Sequence, residues 1–303
     1  MKRAGIGALL GLALLAAPQA ANALPQQNTV IIPYFTTTRG MFTALSYVYN
    51  DADANTVPTV HFTYTYKADL TQDLDQPCQH YDGRAGTTHF DLDTIIIDGS
   101  GPDTKNAVIV DDSGVDGIAP ITKGEGFVAL KANSNDRIVA EAHVVVTATR
   151  GVYSFRALEI DATNNTFIDD DTIQQNENTT VMFFPENIAE TYIYMIAGGK
   201  DVTAVGPYDQ PAKIEIVHHG GNGIFNRSEQ GRSAGGLNGF NCAAVVHVRD
   251  ILGDAGYNFV RNTGGWFSLG VPNNNPGIIA YKIELSPNFG ATVTPLHRQT
   301  YAR

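Results

Sequence analysis

Residues 59–67 read Thr-Val-His-Phe-Thr-Tyr-Thr-Tyr-Lys, and Phe62, Tyr64 and Tyr66 alternate there with His61, Thr63 and Thr65. A period of two puts the aromatic rings on one face of a strand and the polar groups on the other. The pattern recurs along the chain. Ile214 and Ile216 alternate with Lys213 and Glu215, and Tyr281, Ile283 and Leu285 with Lys282 and Glu284. Val, Ile, Thr, Tyr and Phe fill these runs, while Gly, Asn, Asp and Pro separate them, as in short antiparallel strands of sandwiches and barrels. No run of a dozen residues carries a clear helical stripe. The nearest is Pro185 to Ala197.

The second half echoes the first. Thr29-Val30-Ile31-Ile32-Pro33 corresponds to Thr180-Val181-Met182-Phe183-Phe184-Pro185, and Ser46-Tyr47-Val48-Tyr49 to Thr191-Tyr192-Ile193-Tyr194. Pro58 to Tyr64 corresponds to Pro211 to Val217, and Gly126-Phe127 to Gly265-Trp266. Asn133 to Ala140 corresponds to Asn273 to Ala280. The order is kept, which predicts an internal duplication and makes Thr191 to Ala197 a strand. The expected fold is all-β: two tandem, internally duplicated antiparallel β-sandwich domains, Ig-like or jelly-roll-like, over 24–160 and 179–303. The polar run 161–178 between them reads as a solvated linker.

Ahead of the first domain, Lys2 and Arg3 precede a small apolar run from Ala4 to Ala17, Pro18 closes it, and Ala21-Asn22-Ala23 follows. That pattern is a signal peptide over 1–23. It is shorter than the roughly 20 apolar residues a spanning helix needs, and no other stretch is apolar enough to cross as a helix. The expected location is periplasmic, cell-surface or extracellular. The formal net charge is −11 and becomes more negative without Lys2 and Arg3. An acidic chain without a basic cluster argues against nucleic acid as a partner. Cys78 and Cys242, one in each half, are the only cysteines. They could bridge the halves, as an oxidising compartment permits, or pack as two separate thiols.

Ile32-Pro33-Tyr34-Phe35, followed by Thr and Gly and then an alternating run toward Asn50, resembles the N-terminal strand of a group of secreted bacterial β-sandwich proteins. The Gly265-Trp266 strand start is similar too. The resemblance implies fold and compartment and carries no activity.

Several motifs suggest chemistry. Gly231-Arg232-Ser233-Ala234-Gly235 matches G-x-S-x-G, with Asp250 or Asp254 and then His297 in the right chain order. A nucleophile elbow needs a buried strand before the serine and a helix after it. Here glycine-rich sequence surrounds Ser233 and reads as a long flexible loop, so a hydrolase is the least favoured reading. Asp51, Asp53 and Asn55 open a calcium-loop pattern, but Thr56 and Phe62 stand where such a loop needs glycine and glutamate. Asp111, Asp112 and Asp116 form a second acidic turn, and Asp169-Asp170-Asp171 a third. Asp and Asn are also ordinary turn formers, so calcium is a possible ligand and no other cofactor is expected. The histidines, His218-His219 included, lack the spacing of a transition-metal site. Tyr47, Tyr49, Tyr64, Tyr66, Tyr192, Tyr194 and Trp266 could form a glycan platform, although aromatics at period two usually serve as core.

The expectation is an exported, non-catalytic protein acting by binding or assembly, as a structural or surface component. Val30-Ile31-Ile32 could add to a neighbour's sheet edge. A carbohydrate- or calcium-dependent binding module is the alternative. The mature chain is expected to begin at Leu24. Intact-mass measurement of exported protein checks this, and retention of residues 1–23 would refute it.

Overall fold

The structure, a computed structural model, describes residues 28–38, 41–50, 59–86, 92–97, 108–110, 124–132, 137–146, 151–168, 171–204 and 206–299. Residues 1–23, expected to be a signal peptide, lie outside them. The first half contributes β1 (Thr29–Thr36), β2 (Met41–Asn50), β3 (Thr59–Lys67), β4 (Gln79–Gly86), β5 (Leu92–Ile97), β6 (Val108–Val110), β7 (Glu125–Ala132), β8 (Arg137–Val146), β9 (Gly151–Arg156), β10 (Leu158–Asp161) and β11 (Thr166–Phe167). The second contributes β12 (Asn178–Phe183), β13 (Glu190–Ala197), β14 (Pro211–Lys213), β15 (Glu215–Val217), β16 (Ile224–Asn226), β17 (Gly231–Arg232), β18 (Gly239–Asn241), β19 (Ala243–His247), α1 (Val248–Val260), β20 (Gly265–Gly270), β21 (Ile278–Ser286) and β22 (Gly290–Pro295). The described residues form an all-β fold with one helix, and every strand pairing described is antiparallel.

The sheets stack around three apolar clusters. Strands β6-β5-β2-β8-β9 face β11-β10-β1-β7-β3-β4 across Val30, Ile32, Leu45, Tyr47, Phe62, Tyr64, Val128, Leu130 and Ala140. Strands β19-β13-β21-β22 face β12-β20-β16-β17 across Val181, Ile193, Met195, Ala244, Phe267 and Leu269, with Ile251 and Leu252 of α1. The third cluster joins the halves. Ile31, Tyr34, Phe127 and Ala129, on the other face of β1 and β7, meet Tyr194, Ile196, Val245, Ile279 and Tyr281 of β13, β19 and β21.

These central strands are therefore buried on both faces, and every residue of β1 is buried. Such strands read as continuous apolar runs rather than alternating ones, as Val30-Ile31-Ile32 and Ile193 to Ala197 do. The register of β1 against β7 shifts between Ile32 and Phe35. Across this bulge Val30, Ile32 and Phe35 serve one cluster while Ile31 and Tyr34 serve the other. Tyr194 Oη donates to Pro33 O within the bulge at 2.6 Å.

A loop of the first half latches onto the second. Cys78 and Cys242 are disulfide-bonded, with their Cα atoms 5.8 Å apart. Cys78 and Tyr208 exchange backbone hydrogen bonds, Asn241 N donates to Leu74 O, and Val245 N to Leu70 O. Lys67 is buried, and its Nζ donates to the carbonyls of Asp73, Leu74 and Asn241 at 3.2, 3.3 and 2.9 Å. Burial lowers the Lys67 pKa to about 8, against the opposing pull of Asp73 and Asp75.

Four expectations need correction. First, 161–178 is not a solvated linker. It carries β10 into β11, buries Phe167 and Ile173, and hydrogen-bonds Ile173 to Ile278 in both directions. Its few apolar residues are the ones buried. Second, a helix exists. In α1 the buried residues Val248, Ile251, Leu252, Gly256, Tyr257 and Val260 follow helical spacing. Glycine disguises it, because Gly253 has φ +67° and splits the helix, and a Cβ there would lie 2.6 Å from Gly235 O. Third, the glycine-rich stretch is not one flexible loop, since β16, β17 and β18 lie in and beside it. Fourth, Val30-Ile31-Ile32 has no free edge to donate or to extend: β1 pairs with β7 on one side and β10 on the other.

The disulfide closes a loop spanning 164 residues, for which chain entropy gives a stabilisation of up to about 5 kcal/mol. Replacing both cysteines by Ala is expected to lower the unfolding free energy by about 2–5 kcal/mol, read as a shift of the urea midpoint. An unchanged midpoint would refute this contribution.

Candidate functional site

Near one end of the shared core the side chains leave a cleft of about 530 Å³. Its deep walls are Tyr34, Met41, Val146, Tyr153, Val245 and Ile283, all buried members of the central cluster. They come from β1, β2, β8, β9, β19 and β21. Alternation aims them: Tyr153 shares the inward face of β9 with Phe155, and Ile283 shares that of β21 with Tyr281. Tyr153 Oη lies 3.8 Å from Met41 Sδ and donates to it. Toward solvent stand the half-buried Tyr192 and Leu285 and the exposed Glu186, Asn187, Glu190 and Pro287.

Among the described residues, Glu186 and Glu190 are the only charged ones lining the cleft. Glu190 Oε2 accepts from Tyr192 Oη at 2.8 Å. Glu186 is placed by its backbone N–H, which donates to Arg261 O just past α1. Burial pushes the hydroxyls of Tyr194 and Tyr281, deeper in the same core, well above the usual tyrosine range. The arrangement offers an apolar chamber with a negative mouth.

His247 adjoins this mouth. Its ring meets Tyr192 edge-on at 5.0 Å and Tyr257 at 5.5 Å, and its Nδ1 accepts from Arg249 N at 3.0 Å, capping α1. Burial lowers its pKa below the ordinary value, with Arg249 acting in the same direction and Asp250, Glu190 and Glu186 opposing.

The sequence candidates fall elsewhere. Asp51, Asp53, Asn55, Asp111, Asp112 and Asp116 lie outside the described residues, as do Asp169 and Asp170. Among the described residues no group of three His, Cys, Asp or Glu side chains is placed to hold a metal. Ser233 is exposed and follows the two-residue edge strand β17. Irregular backbone leads from it to β18 instead of the helix an elbow requires. Asp254, proposed as its partner by chain order, is held by Arg249 at 2.7 Å. His218 and His219 diverge, with His219 Nε2 2.9 Å from Ser268 Oγ and His218 exposed. Of the tyrosines, Tyr47, Tyr64 and Tyr194 are core. Tyr66 and Tyr192 are half-buried, and Trp266 is half-exposed.

Sequence reading does not find the cleft, because each wall residue looks like ordinary strand core. The one available signal is the pair Glu186 and Glu190 just ahead of an apolar strand. Comparison of the chain with protein-family models, curated proteins and solved structures finds no match.

A neutral imidazole is needed for the cap, because protonated Nδ1 cannot accept from Arg249 N. With the folded pKa below the unfolded value of about 6.5, the unfolded chain binds the proton first. Stability is therefore full above about pH 6.5 and falls as pH drops through the lowered pKa. His247→Asn keeps a capping acceptor and is expected to flatten the change in urea midpoint between pH 7 and pH 5. Identical pH profiles for the variant and the parent would contradict this.

Proposed function

We propose that this is an exported protein that acts by binding rather than by catalysis, with the cleft between its halves as the ligand site. The observation that carries the reading is the chemistry of the cleft: apolar walls, tyrosines, and, among the described residues, two carboxylates as the only lining charges. That is the usual composition of a small-molecule site, mostly apolar with a few polar groups that orient the ligand. The ligand it fits has an apolar body and a cationic end. The disulfide, the Lys67 latch and the shared core support a preformed cleft, which avoids part of the ordering cost of binding. The leader pattern supports export, and a disulfide suits an oxidising compartment.

The tandem-duplication reading belongs to the same proposal. Its support is matching antiparallel pairing in the two halves: β1 with β7, β2 with β8 and β8 with β9, beside β12 with β20, β13 with β21 and β21 with β22. The β3 counterpart is divided, as β14 pairs with β18 and β15 with β20. Two such units joined through sheet faces naturally leave a seam, and the cleft lies in that seam.

Thermal-shift and calorimetric titration with an alkylamine, and with the fatty acid of equal chain length, tests the proposal. The amine is expected to stabilise the protein and the carboxylate to do so far less. Leu285→Trp, at the half-buried mouth, is expected to fill the entrance and abolish the amine-induced shift while the unliganded melting temperature stays within a few degrees. Equal binding of both ligands, or binding untouched by the substitution, would refute the assignment.

A further inference from the structure

We infer that the second half carries another binding site, a slot beside Trp266 that takes a carboxylated sugar residue of a glycan. On the outer face of the β12-β20-β16 sheet, Met182, Trp266 and Phe225 stand directly opposite one another on adjacent strands. Their neighbours Val181, Phe267 and Ile224 turn inward to the core, so alternation forces this row outward. Met182 is 65% exposed and Phe184, at the end of β12, 44%. Phe225 stacks on the indole at 4.3 Å with 12° between the rings, which backs one side of Trp266 and fixes it.

A slot of about 360 Å³ is lined by Trp266 but not by Phe225, together with Met182, Phe184, Arg227, Lys282 and Glu284. An indole backed on one side and bordering a slot suits a pyranose ring. The carbon-bound hydrogens on a sugar's flat side carry slight positive charge and settle on the electron-rich ring face. The hydroxyls around the sugar's edge then need polar partners.

Glu284 supplies the independent sign of a ligand. It is 8% exposed. Its Oε2 pairs with Lys282 Nζ at 3.0 Å, and Lys282 Nζ also donates to Met182 O at 2.9 Å. Its Oε1 is buried with no hydrogen-bond partner, and neither has the hydroxyl of Thr191 directly opposite in register. Buried polar atoms are seldom left unpaired, since removing one from water without a partner is costly. A sugar hydroxyl can donate, so one entering the slot that Glu284 lines can give a proton to Glu284 Oε1.

Charge selects among sugars. Lys282 and Glu284 neutralise each other. Arg227 is exposed and makes no ion pair or hydrogen bond among the described residues. The slot therefore presents one uncommitted guanidinium in a chain of net charge −11. A guanidinium fork matches a carboxylate in two parallel hydrogen bonds, which a uronic or sialic acid provides.

Calorimetric titration of the full protein with an oligouronate, and with a neutral oligosaccharide of the same length, tests this. Expected is binding of the oligouronate, weakened by added salt, with little binding of the neutral sugar. Trp266→Leu and Arg227→Gln are each expected to weaken it about tenfold or more, and Glu284→Gln to weaken it as well. Leu285→Trp, in the other cleft, should leave it unchanged, so failure of either site shows separately. Melting temperatures of the variants confirm folding. No binding of either sugar overturns the proposal. So does equal binding of both, or oligouronate binding that survives Trp266→Leu in a folded variant.

Discussion

Tyr34, Tyr194, Phe155 and Tyr281 meet in the centre of the molecule. Tyr34 lies 4.7 Å from Tyr194 and 5.3 Å from Phe155, and Phe155 lies 5.1 Å from Tyr281. Two of these rings belong to each half. Each would bury something like 150–250 Å² and gain from its tilted or edge-on contacts. Because of this contact the central strands β1 and β7 have no solvent face: they pack on β13, β19 and β21 on one side and on β2 and β8 on the other. The Tyr194 hydroxyl satisfies the Pro33 carbonyl at the β1 bulge, and that bulge resets the alternation so that Tyr34 faces the shared core and Phe35 the first-half core.

The cleft is part of the same core. Its deep walls are core residues whose neighbours happen not to fill the space, so its shape depends on the halves keeping their relative position. Burying Lys67 is costly, as the lowered pKa records, and three carbonyls offset that cost. In return the 68–77 loop is fixed against Asn241, next to the disulfide. Glu125 is treated alike nearby: it is fully buried and accepts from the Thr36 and Thr38 hydroxyls and from Leu70 N. These polar contacts sit at the seam, where a purely apolar contact would tolerate sliding.

The cleft and the Trp266 slot have opposite electrostatic character. Among the described residues, the cleft mouth has two carboxylates and no lining cation, while the slot has two cations against one carboxylate. A chain with 31 acidic and 20 basic residues makes the former ordinary and the latter a local departure.

Local chemistry along the chain determined the strands, because period-two alternation and β-branched or aromatic residues need no distant information. Thr59 to Lys67 is a strand for that reason, whereas Thr191 to Ala197, a continuous apolar run, is legible as a strand only through its match to the first half. Sequence order also predicts matching halves and places one cysteine in each. Tertiary structure decided the rest. Nothing local says that Ile31 and Tyr34 face a second core, because a doubly buried strand shows only a continuous apolar run. Phe167 and Ile173 sit in a polar segment, and only the surfaces they meet make them core. Gly253 hid the helix by breaking a pattern that is continuous only once the chain is folded. The cleft draws its walls from six strands, and the slot sets Trp266 beside Glu284 of another sheet. Such sites are sums of contacts between residues far apart in sequence, and no window along the chain contains them.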